Sequence, residues 1–367
     1  MPGKPRKIHW ERRRHTQAKH QVLVDYLAAW IPILGRRFDD LILIDGFAGP
    51  GRYEDRAPGS PLLMYEAYAR HPDRSDLATR AHFFFIEKHP GRAAALRAEI
   101  AKRKAVPDIE VEMIEGDYDQ EFPGLLARLK QRWPRELPPI FAFIDPFGGE
   151  QNKIELTHSL LELPRCEALV FVPMTHFARF IDHPDLEQTL EVVFGDQSWR
   201  EARKLPDVSG RVKLLVELFR QRLKKTCRWV RAFEITPKEG GNSHFLFFGT
   251  SHALGLTRMK EAMWRLDPVA GQRFRDSTHV DHPVLFQTEP DVVPLLAMLR
   301  EHFGTRAFTI EQAEEFTLFE TPFLHNRHLK QRTLAPAERE RVLEPVDPPP
   351  TRRANTYPAG TRIRFAE

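Results

Sequence analysis

The sequence has little cysteine and no long apolar run. Only two of its 367 residues are cysteines, Cys166 and Cys227, roughly sixty positions apart. With no Cys-x-x-Cys pair, a zinc ribbon and a disulfide framework are both excluded, and we expect two buried thiols. No apolar run approaches the ~18 residues that cross a bilayer, and the first twenty residues lack the apolar region of a signal peptide. We therefore expect a soluble, cytoplasmic protein without membrane contact.

The chain also has little net charge, +4, but that charge is unevenly distributed. Residues 1–20 hold seven lysines and arginines against one acid, and residues 324–367 hold nine against five, which leaves −6 between them. Basic ends around an acidic body favour a polyanionic partner such as nucleic acid, although solvated termini explain the same charges. The hydrophobic content of 41% is enough for two or three folded domains, which excludes disorder as the main state.

Buried strands alternate with amphipathic helices over most of the sequence. Helical spacing predicts a helix from Thr16 to Leu34, and the apolar run Leu41–Ile44 predicts a strand buried on both faces. Six further strands are predicted at 83–86, 109–114, 140–144, 168–172, 229–235 and 245–248. This alternation predicts an α/β fold with a doubly wound, Rossmann-like sheet of seven strands. Its last two strands form an antiparallel pair around a turn at 237–242, and residues 174–227 form a helical insertion over the strand ends.

A smaller unit is predicted after the sheet. A basic arm, 1–20, and the sheet domain, 21–283, precede a C-terminal domain, 284–367. The elements predicted there are helices at 292–303, 310–316 and 321–332 and strands at 342–346 and 361–365. Three helices and two strands indicate a winged helix, with residues 345–358 as the wing loop. Winged helices bind nucleic acid but also serve as dimerisation or docking modules, which is the alternative role here.

A glycine-rich turn follows the first predicted strand. The run Asp45-Gly46-Phe47-Ala48-Gly49-Pro50-Gly51 holds three glycines, and glycine lets the backbone turn sharply and come close to a ligand. The second strand ends in Glu87, and Gly116-Asp117 follows the third. Each acid alone is more often a solvated strand terminus than a ligand contact. Three acids in register after three successive strands favour a nucleotide-like cofactor instead.

This pattern resembles the class I S-adenosylmethionine (SAM) methyltransferases. In that class the first strand ends in an acid, and a Gly-x-Gly turn passes beneath the methionine part of SAM. The resemblance implies a cofactor-binding set of Asp45, Gly46, Phe47, Gly49 and Gly51. It also implies that Glu87 accepts hydrogen bonds from the ribose hydroxyls, as an acid does in dinucleotide sites, and that Asp117 binds the adenine amine. It requires no metal.

The fourth strand is followed by Asp145-Pro146-Phe147-Gly148. In methyltransferases that act on exocyclic amines of bases, an acid and a prolyl carbonyl accept the amine protons and an aromatic ring stacks on the base. The catalytic candidates are therefore Asp145, Pro146 and Phe147. The usual motif has two prolines, but the form with one is found in tRNA guanine N2-dimethyltransferases. A type I turn begun by Asp-Pro is the alternative.

Residue by residue, the chain is most similar to the three-Cys-motif partner family, TcmP. That family has Thr-x-x-Lys before a helix with a late tryptophan, here Thr16, Lys19 and Trp30. The glycine turn, Gly-Ser-Pro at 59–61, the acid after strand two and Asp-Pro-Phe-Gly follow in order. The resemblance covers about residues 16–250 and, more loosely, the C-terminal unit. It implies a methyltransferase-like domain whose genomic neighbour is a separate, radical-SAM-like three-cysteine protein.

Other polar residues are candidates for substrate contacts. The candidates for nucleic-acid binding are Arg12, Arg13, Arg14, Lys19, Arg327, Lys330 and Arg332. His325 and His328 are on the same predicted helix as the last three and could likewise place positive side chains against phosphates. Thr175, His176 and Arg179 follow the fifth strand and could line a substrate pocket, although a histidine there is more often structural. Ser60 is a good helix N-cap and could also face the cofactor.

We therefore expect a SAM-dependent methyltransferase acting on an exocyclic amine of an RNA or DNA base. The alternative is a non-catalytic, methyltransferase-like subunit that binds nucleic acid for the radical-SAM-like neighbour. A catalytically idle relative would be free to lose Asp45, Glu87 and Asp145, and all three are present. A nuclease would need clustered carboxylates for a metal with a nearby lysine, and no such spacing occurs.

Overall fold

The chain forms two compact units, Met1–Arg258 with Phe274–His279 and Met259–Arg273 with Val280–Glu367. The computed structural model describes residues 8–12, 14–77, 79–104, 106–146, 153–236, 243–275, 289–348 and 352–366. One helix runs through the division between the two units, so its first part belongs to one unit and its last part to the other. The domain boundary predicted near residue 283 lies outside the described residues.

The first unit is built on an eight-stranded sheet. Its strands are β1 (Asp40–Asp45), β2 (Arg80–Glu87), β3 (Ile109–Glu115), β4 (Ile140–Ile144), β5 (Cys166–Val172), β6 (Trp229–Thr236), β7 (His244–Thr250) and β8 (Arg273–Arg275). The order across the sheet is β3-β2-β1-β4-β5-β7-β6-β8. Neighbours among β1 to β5 are parallel, and β7 is antiparallel to β5 and β6. The predicted doubly wound sheet with an antiparallel end is confirmed. Strand β8 was not predicted, and the turn at 237–242 lies outside the described residues.

Helices cover both faces of this sheet. They are α1 (Arg14–Gly35), α2 (Ser60–Ala69), α3 (Pro90–Ala101), α4 (Tyr118–Arg132), α5 (Ile154–Leu161), α6 (Met174–Arg179), α7 (Pro184–Phe194), α8 (Val208–Leu223) and α9 (Ala253–Leu266), the helix shared by both units. Successive side chains of a strand point to opposite faces, so a strand covered on both sides is apolar throughout. In β1, Ile42 and Ile44 belong to the core that Phe122 of α4 and Leu160 of α5 complete.

The segment 174–227 is helical, as predicted, but it does more than cover strand ends. It contains α6, α7, a short 3₁₀ helix (Ser198–Lys204) and α8. Leu215, Phe219 and Leu223 of α8 are buried in the same core as the strands. This helix therefore belongs to the layer on one face of the sheet, where it crosses from β5 towards β6.

Helix α1 packs on the opposite face and is tied to the sheet by a buried carboxylate. Its Tyr26 ring lies 5.4 Å from the ring of Phe141 on β4. Glu167 of β5 accepts hydrogen bonds from Tyr26 Oη at 2.5 Å, Trp30 Nε1 at 2.8 Å and Thr250 Oγ1 at 2.6 Å. Burial raises the pKa of Glu167. A buried carboxyl group is tolerated when its hydrogen bonds are made, and here those bonds fix the position of α1.

The second unit contains helices followed by an antiparallel ribbon. Its helices are α10 (Val293–Phe303), α11 (Ile310–Glu320), a π-helix (His325–Leu334) and α12 (Ala335–Arg339), and its strands are β9 (Phe308–Thr309), β10 (Leu343–Val346) and β11 (Arg362–Phe365). The strand order is β10-β11-β9, and both pairs are antiparallel. The third helix begins at His325 rather than Thr321, and β9 was not predicted. The assignment of these elements to a winged helix stays a prediction.

The proline-rich segment before β11 is held to α12 by a buried ion pair. Arg352 donates to both carboxylate oxygens of Glu338, at 3.0 and 2.6 Å, and its side chain is only 5% exposed. Tyr357 Oη donates to the same carboxylate at 2.6 Å. A bidentate arginine–carboxylate pair fixes geometry as well as charge. The side chain of Arg352 therefore has a structural role, since it is buried and paired with Glu338.

Both cysteines are buried, as predicted. Burial raises the pKa of Cys166 and of Cys227, so neither thiol is a ready nucleophile at neutral pH. Within the described ranges, no helix is long and apolar enough to cross a membrane.

Candidate active site at the sheet edge

The carboxyl ends of β1, β2 and β4 meet where the strand order reverses. The chain adds β2 and β3 on one side of β1 and β4 on the other, and in open α/β sheets ligands bind in the crevice at such a point. Asp45, the last residue of β1, pairs in register with Phe85 of β2 and Phe143 of β4. Glu87 and Asp145 each lie two residues beyond those partners. The structure thus brings the acids of three strands to one edge.

The chain after β1 turns across the ends of both neighbouring strands. The Gly46 amide donates to the carbonyl of Phe143 on β4 at 3.0 Å, and the Ala48 amide donates to the carbonyl of Ile86 on β2 at 2.9 Å. These bonds satisfy backbone groups that a sharp turn would otherwise leave unpaired. The turn is therefore anchored to β2 and to β4, on either side of β1.

Two of the predicted glycines are required by the backbone. Gly49 has a φ of +64° and Gly51 a φ of +80°, in the left-handed region that costs glycine little. Between them and β1, Phe47 packs its ring 4.9 Å from the ring of Tyr118. The turn predicted to approach a ligand is thus a tight, glycine-dependent loop with one aromatic anchor.

Asp45 is fully buried, and one of its oxygens has no partner. Oδ1 accepts the Phe47 amide at 3.0 Å, whereas no described residue bonds to Oδ2. Burial raises the pKa of Asp45 to about 7; Ser60 and the Phe47 amide oppose this as hydrogen-bond donors, and the charges on Asp145 and Glu87 add to it. The Ser60 hydroxyl makes no hydrogen bond of normal geometry to Oδ2, so that oxygen is still without a partner. A buried oxygen without a donor is costly unless a ligand supplies one. The position therefore suits a cationic or hydrogen-bond-donating group.

Glu87 joins the end of β2 to the glycine turn. Its Oε2 accepts the Gly49 amide at 2.9 Å, and its Oε1 accepts the His89 amide at 2.7 Å. The Arg92 guanidinium lies 4.0 Å from Oε1. Each carboxylate oxygen can accept more than one hydrogen bond, so both oxygens keep capacity for the pair of hydroxyls predicted to bind here.

Asp117 caps α4 and is also paired. Its Oδ1 accepts the Asp119 amide at 3.3 Å, and Lys88 forms an ion pair with Oδ2. The hydrogen bond from Lys88 lowers the pKa of Asp117. Asp119 was missed by the sequence reasoning. It pairs with Lys153 at 2.9 Å, its Oδ1 is buried without a described partner, and burial raises its pKa. The predicted adenine contact therefore has two acidic candidates.

Asp145 forms an ion pair with Lys19 of α1. The distance from Lys19 Nζ to Asp145 Oδ2 is 2.6 Å, and the lysine side chain is only 7% exposed. The same ammonium lies 3.9 Å from the ring centroid of Phe171 on β5, which stacks on His244 of β7. Lys19, predicted as a nucleic-acid contact, is thus engaged with the predicted acceptor residue.

Residues 8–12 lie against the glycine turn. A Cβ atom at Gly49 would lie 2.8 Å from Cζ3 of Trp10. The Arg92 guanidinium lies 4.2 Å from the Trp10 ring. Arg12 Nε donates to Asp55 at 2.9 Å. The charge of Arg12 is therefore partly balanced by Asp55, and its contact with a phosphate stays a prediction.

Two aromatic side chains near Asp145 were missed. His20 of α1 lies with its ring centroid 5.8 Å from that of Tyr53. Burial, followed by the charge on Lys19, lowers the pKa of His20 to about 3, so it is neutral at pH 7. Burial, followed by the charge on Asp145, raises the pKa of Tyr53. The i, i+3, i+4 spacing of Thr16, Lys19 and His20 was the available signal, since those residues share one helix face.

The other predicted residues fall into two groups. Arg13 and Phe147 lie outside the described residues, as does the side chain of Arg14, the first residue of α1. Pro146 is described and buried. The N-cap of α2 is Gly59, so the N-cap prediction for Ser60 was wrong; Ser60 is the first helical residue.

The residues predicted to follow the fifth strand are on α6. Thr175 is buried there, and its amide donates to the carbonyl of Ser243 at 3.4 Å. Burial lowers the pKa of His176, whose ring lies 4.9 Å from that of Phe180. A neutral histidine packed on phenylalanine fits the structural reading. Arg179 is the last residue of α6.

The basic residues predicted on the π-helix differ in their surroundings. Lys330 pairs with Glu314 at 2.8 Å. Arg327 and Arg332 are exposed and form no ion pair within the described part of the chain. The prediction that His328 is a positive side chain was wrong. His328 is buried, and its Nδ1 accepts a hydrogen bond from a backbone N–H at 3.0 Å. Burial lowers its pKa to about 4, so it adds no positive charge at neutral pH.

Comparison with known proteins gives similarities to solved structures only. No protein-family model and no curated protein matches the chain. Trm1 from Pyrococcus horikoshii, in complex with SAM, is 10% identical with a TM-score of 0.37, over 72% of this chain and 61% of that one. An O-methyltransferase from Bacillus cereus, in complex with SAH, is 16% identical with a TM-score of 0.32, over 62% of this chain and 80% of that one. The chain thus spans about six tenths of the length of Trm1. The case for a function rests on the residues at the sheet edge.

This edge offers three distinct binding positions. Asp45 Oδ2 suits a cation, and Glu87 suits a pair of hydroxyls across the glycine turn. Asp145 suits an amine that donates hydrogen bonds. A ligand that carries a positive charge and a vicinal diol fits the first two positions together, and a second molecule fits the third.

Proposed function

We propose that the chain is a SAM-dependent methyltransferase that acts on an exocyclic amine of a nucleic acid base. The observation that carries the proposal is the buried, unpartnered Oδ2 of Asp45 at the point where the strand order reverses. SAM is a cation with a ribose diol, and so it offers a positive charge to Asp45 and a pair of hydroxyls to Glu87, whose oxygens can each accept a further hydrogen bond. The resemblance to class I methyltransferases in the glycine turn supports the same ligand.

Each part of the cofactor has candidate residues. The methionine part would be held by Asp45 with Gly46, Phe47, Gly49 and Gly51. Glu87 would accept hydrogen bonds from the ribose hydroxyls, and Asp117 or Asp119 would accept one from the adenine amine. The residues therefore fit the group, because the carboxylates of Asp45, Glu87 and Asp119 keep acceptor capacity and the glycine turn lets the backbone come close to the methionine part.

Orientation is the main contribution of the protein to such a reaction. When bound, SAM supplies a methyl group on an activated, positively charged sulfur. The Asp145 carboxylate and the Pro146 carbonyl would accept hydrogen bonds from the N–H groups of the acceptor amine and thereby aim its lone pair. Phe147, next in sequence, would stack on the base. Asp145 would also accept the proton that the methylated nitrogen releases.

Transfer of a labelled methyl group tests this function. The protein is incubated with methyl-labelled SAM and total RNA or genomic DNA, and label in the nucleic acid is counted. We expect label with the native protein and a loss of about a hundredfold with Asp145→Asn. Asp185→Asn, a change at an exposed aspartate of α7, is the matched control. Absence of label with every nucleic acid, despite cofactor binding, would exclude this acceptor class.

Nucleic acid is the partner proposed here, and the exposed Arg327 and Arg332 support it. Removal of one phosphate-binding side chain should reduce the salt dependence of binding by about one unit of slope. We expect that reduction for Arg327→Ala and for Arg332→Ala, measured by fluorescence anisotropy with labelled RNA. Arg364→Ala, at an arginine paired with Glu344, is the control and should leave the slope unchanged. An unchanged slope in all three variants would place the contact elsewhere.

The TcmP identity is also a proposal, and it brings a second candidate function. In the second candidate the chain is a non-catalytic subunit that binds nucleic acid for a radical-SAM-like three-cysteine protein. The ion pair of Lys19 with Asp145 favours this candidate, because the lysine already engages the acceptor carboxylate. Label transfer in the experiment above would decide for the enzyme.

A further inference from the structure

The acceptor end of the site holds an ion pair and not a lone carboxylate. Lys19 Nζ donates to Asp145 Oδ2 at 2.6 Å and lies 3.9 Å from the ring centroid of Phe171, and it donates no other hydrogen bond among the described residues. Asp145 Oδ1 accepts no hydrogen bond from them either. An ammonium has three donors and a carboxylate about four acceptor positions. The pair therefore presents a free donor beside a free acceptor.

The surroundings of this ion pair already form a cation site. A carboxylate next to an aromatic face binds an alkylammonium through charge and through the ring quadrupole. Lys19 fills that position with its own ammonium. Its helix is fixed by the bonds of Tyr26 and Trp30 to Glu167, so the lysine is held in place. A second ammonium would meet a like charge, and like-charge contact is a common way to reject a wrong ligand.

We infer that Lys19 is a specificity-determining residue for the methyl acceptor, an inference that rests on the proposed function. With Asp145 it selects a neutral, planar amine that has a hydrogen-bond acceptor beside it. Asp145 Oδ1 accepts a hydrogen bond from the amine, and Lys19 Nζ donates one to the neighbouring ring nitrogen. Adenine, cytosine and guanine each present an exocyclic amine beside a ring nitrogen. A lysine side chain offers only donors and a positive charge, and is rejected.

Binding of small probes tests this selection without an identified substrate. Saturation-transfer NMR compares adenosine, cytidine and Nα-acetyl-lysine methylamide, with and without S-adenosylhomocysteine. The native protein should bind the nucleosides and reject the lysine probe. In Lys19→Met the affinity for nucleosides should fall about tenfold or more, and the lysine probe should now bind, because Asp145 and Phe171 are free to hold an ammonium. Lys19→Arg should still reject it.

Controls separate this inference from the fold and from the proposed function. Lys213→Met, at an exposed lysine of α8, should match the native protein. If Lys19→Met does not fold, Asp145→Asn should lose the nucleosides and still reject the lysine probe. Equal binding of the lysine probe by the native protein and by Lys19→Met would overturn the inference, as would an unchanged ratio between probes. If the native protein does not bind S-adenosylhomocysteine, the proposed function fails. The inference about Lys19 can still be scored in that case, because the probes are also compared without S-adenosylhomocysteine.

Discussion

The Glu87 carboxylate accepts a hydrogen bond from the Gly49 amide at 2.9 Å, which joins the end of β2 to the turn after β1. The other oxygen accepts the His89 amide at 2.7 Å. These bonds orient the carboxylate before a ligand arrives, and a preorganised group loses less conformational freedom on binding. Glu87 therefore holds the turn in place, and its proposed second role is to accept hydrogen bonds from the cofactor.

Glu87→Gln should weaken cofactor binding by about tenfold or more, because one amide group cannot accept from both backbone donors and from a diol as a carboxylate does. Titration calorimetry with S-adenosylhomocysteine measures the change. Glu115→Gln is the matched control, since Glu115 ends the neighbouring strand but is exposed and paired with Arg97 at 3.3 Å. Equal affinity for S-adenosylhomocysteine in both variants would show that Glu87 does not contribute to cofactor binding.

Gly49→Ala should destabilise the first unit by about 1–2 kcal/mol, the cost of a side chain in left-handed backbone, with a further cost from the Trp10 contact. Cofactor affinity should fall as well, because the turn must shift. Gly124→Ala is the control. That glycine lies in α4 with open space around it, so alanine should stabilise by up to about 1 kcal/mol. Chemical denaturation measures both variants, and equal effects would contradict the role of Gly49.

Cofactor binding should release a proton near neutral pH. The pKa of Asp45 is raised to about 7, mainly by burial, so the free protein holds part of a proton there at about pH 6.5. A cationic ligand beside Oδ2 stabilises the carboxylate and lowers that pKa, so affinity should rise with pH up to about 7 and then level off. Titration calorimetry of cofactor binding, carried out in two buffers with different ionisation enthalpies, gives the number of protons released on binding. Absence of proton release would mean that the cation does not contact Asp45.

Glu167→Gln should change how stability depends on pH. Burial raises the pKa of Glu167, so the folded protein holds this proton more tightly than the unfolded chain, whose glutamates titrate near ~4.3. The free energy of unfolding should therefore fall as pH rises above that value, and this part of the slope should vanish in Glu167→Gln. Glu162→Gln, a change at an exposed residue after α5, should retain it. Urea unfolding between acid and neutral pH measures the slope.

The sheet and the turn could be predicted because local signals determine them. Apolar runs such as Leu41–Ile44 identify strands covered on both faces, and closely spaced glycines identify a turn with left-handed backbone at Gly49 and Gly51. The acids Asp45, Glu87 and Asp145 lie at one edge of the sheet because the carboxyl ends of neighbouring parallel strands lie at the same edge. These features needed no knowledge of which helix packs where.

The partners of the site residues could not be predicted in the same way. Lys19 and Asp145 are 126 residues apart, and their contact depends on how α1 packs on the sheet. The pairing of Lys88 with Asp117 and the burial of His328 likewise depend on side-chain packing that no short motif encodes. The basic candidates therefore changed most, because charge alone does not tell a solvated arginine from a paired one.

Titration calorimetry of the native protein with S-adenosylhomocysteine is the decisive test of whether this sheet edge binds SAM. We expect one site per chain with micromolar or tighter affinity, abolished by Asp45→Ala and weakened by Glu87→Gln. No heat of binding in the native protein, together with an unchanged melting temperature in excess ligand, would show that the edge does not bind this cofactor.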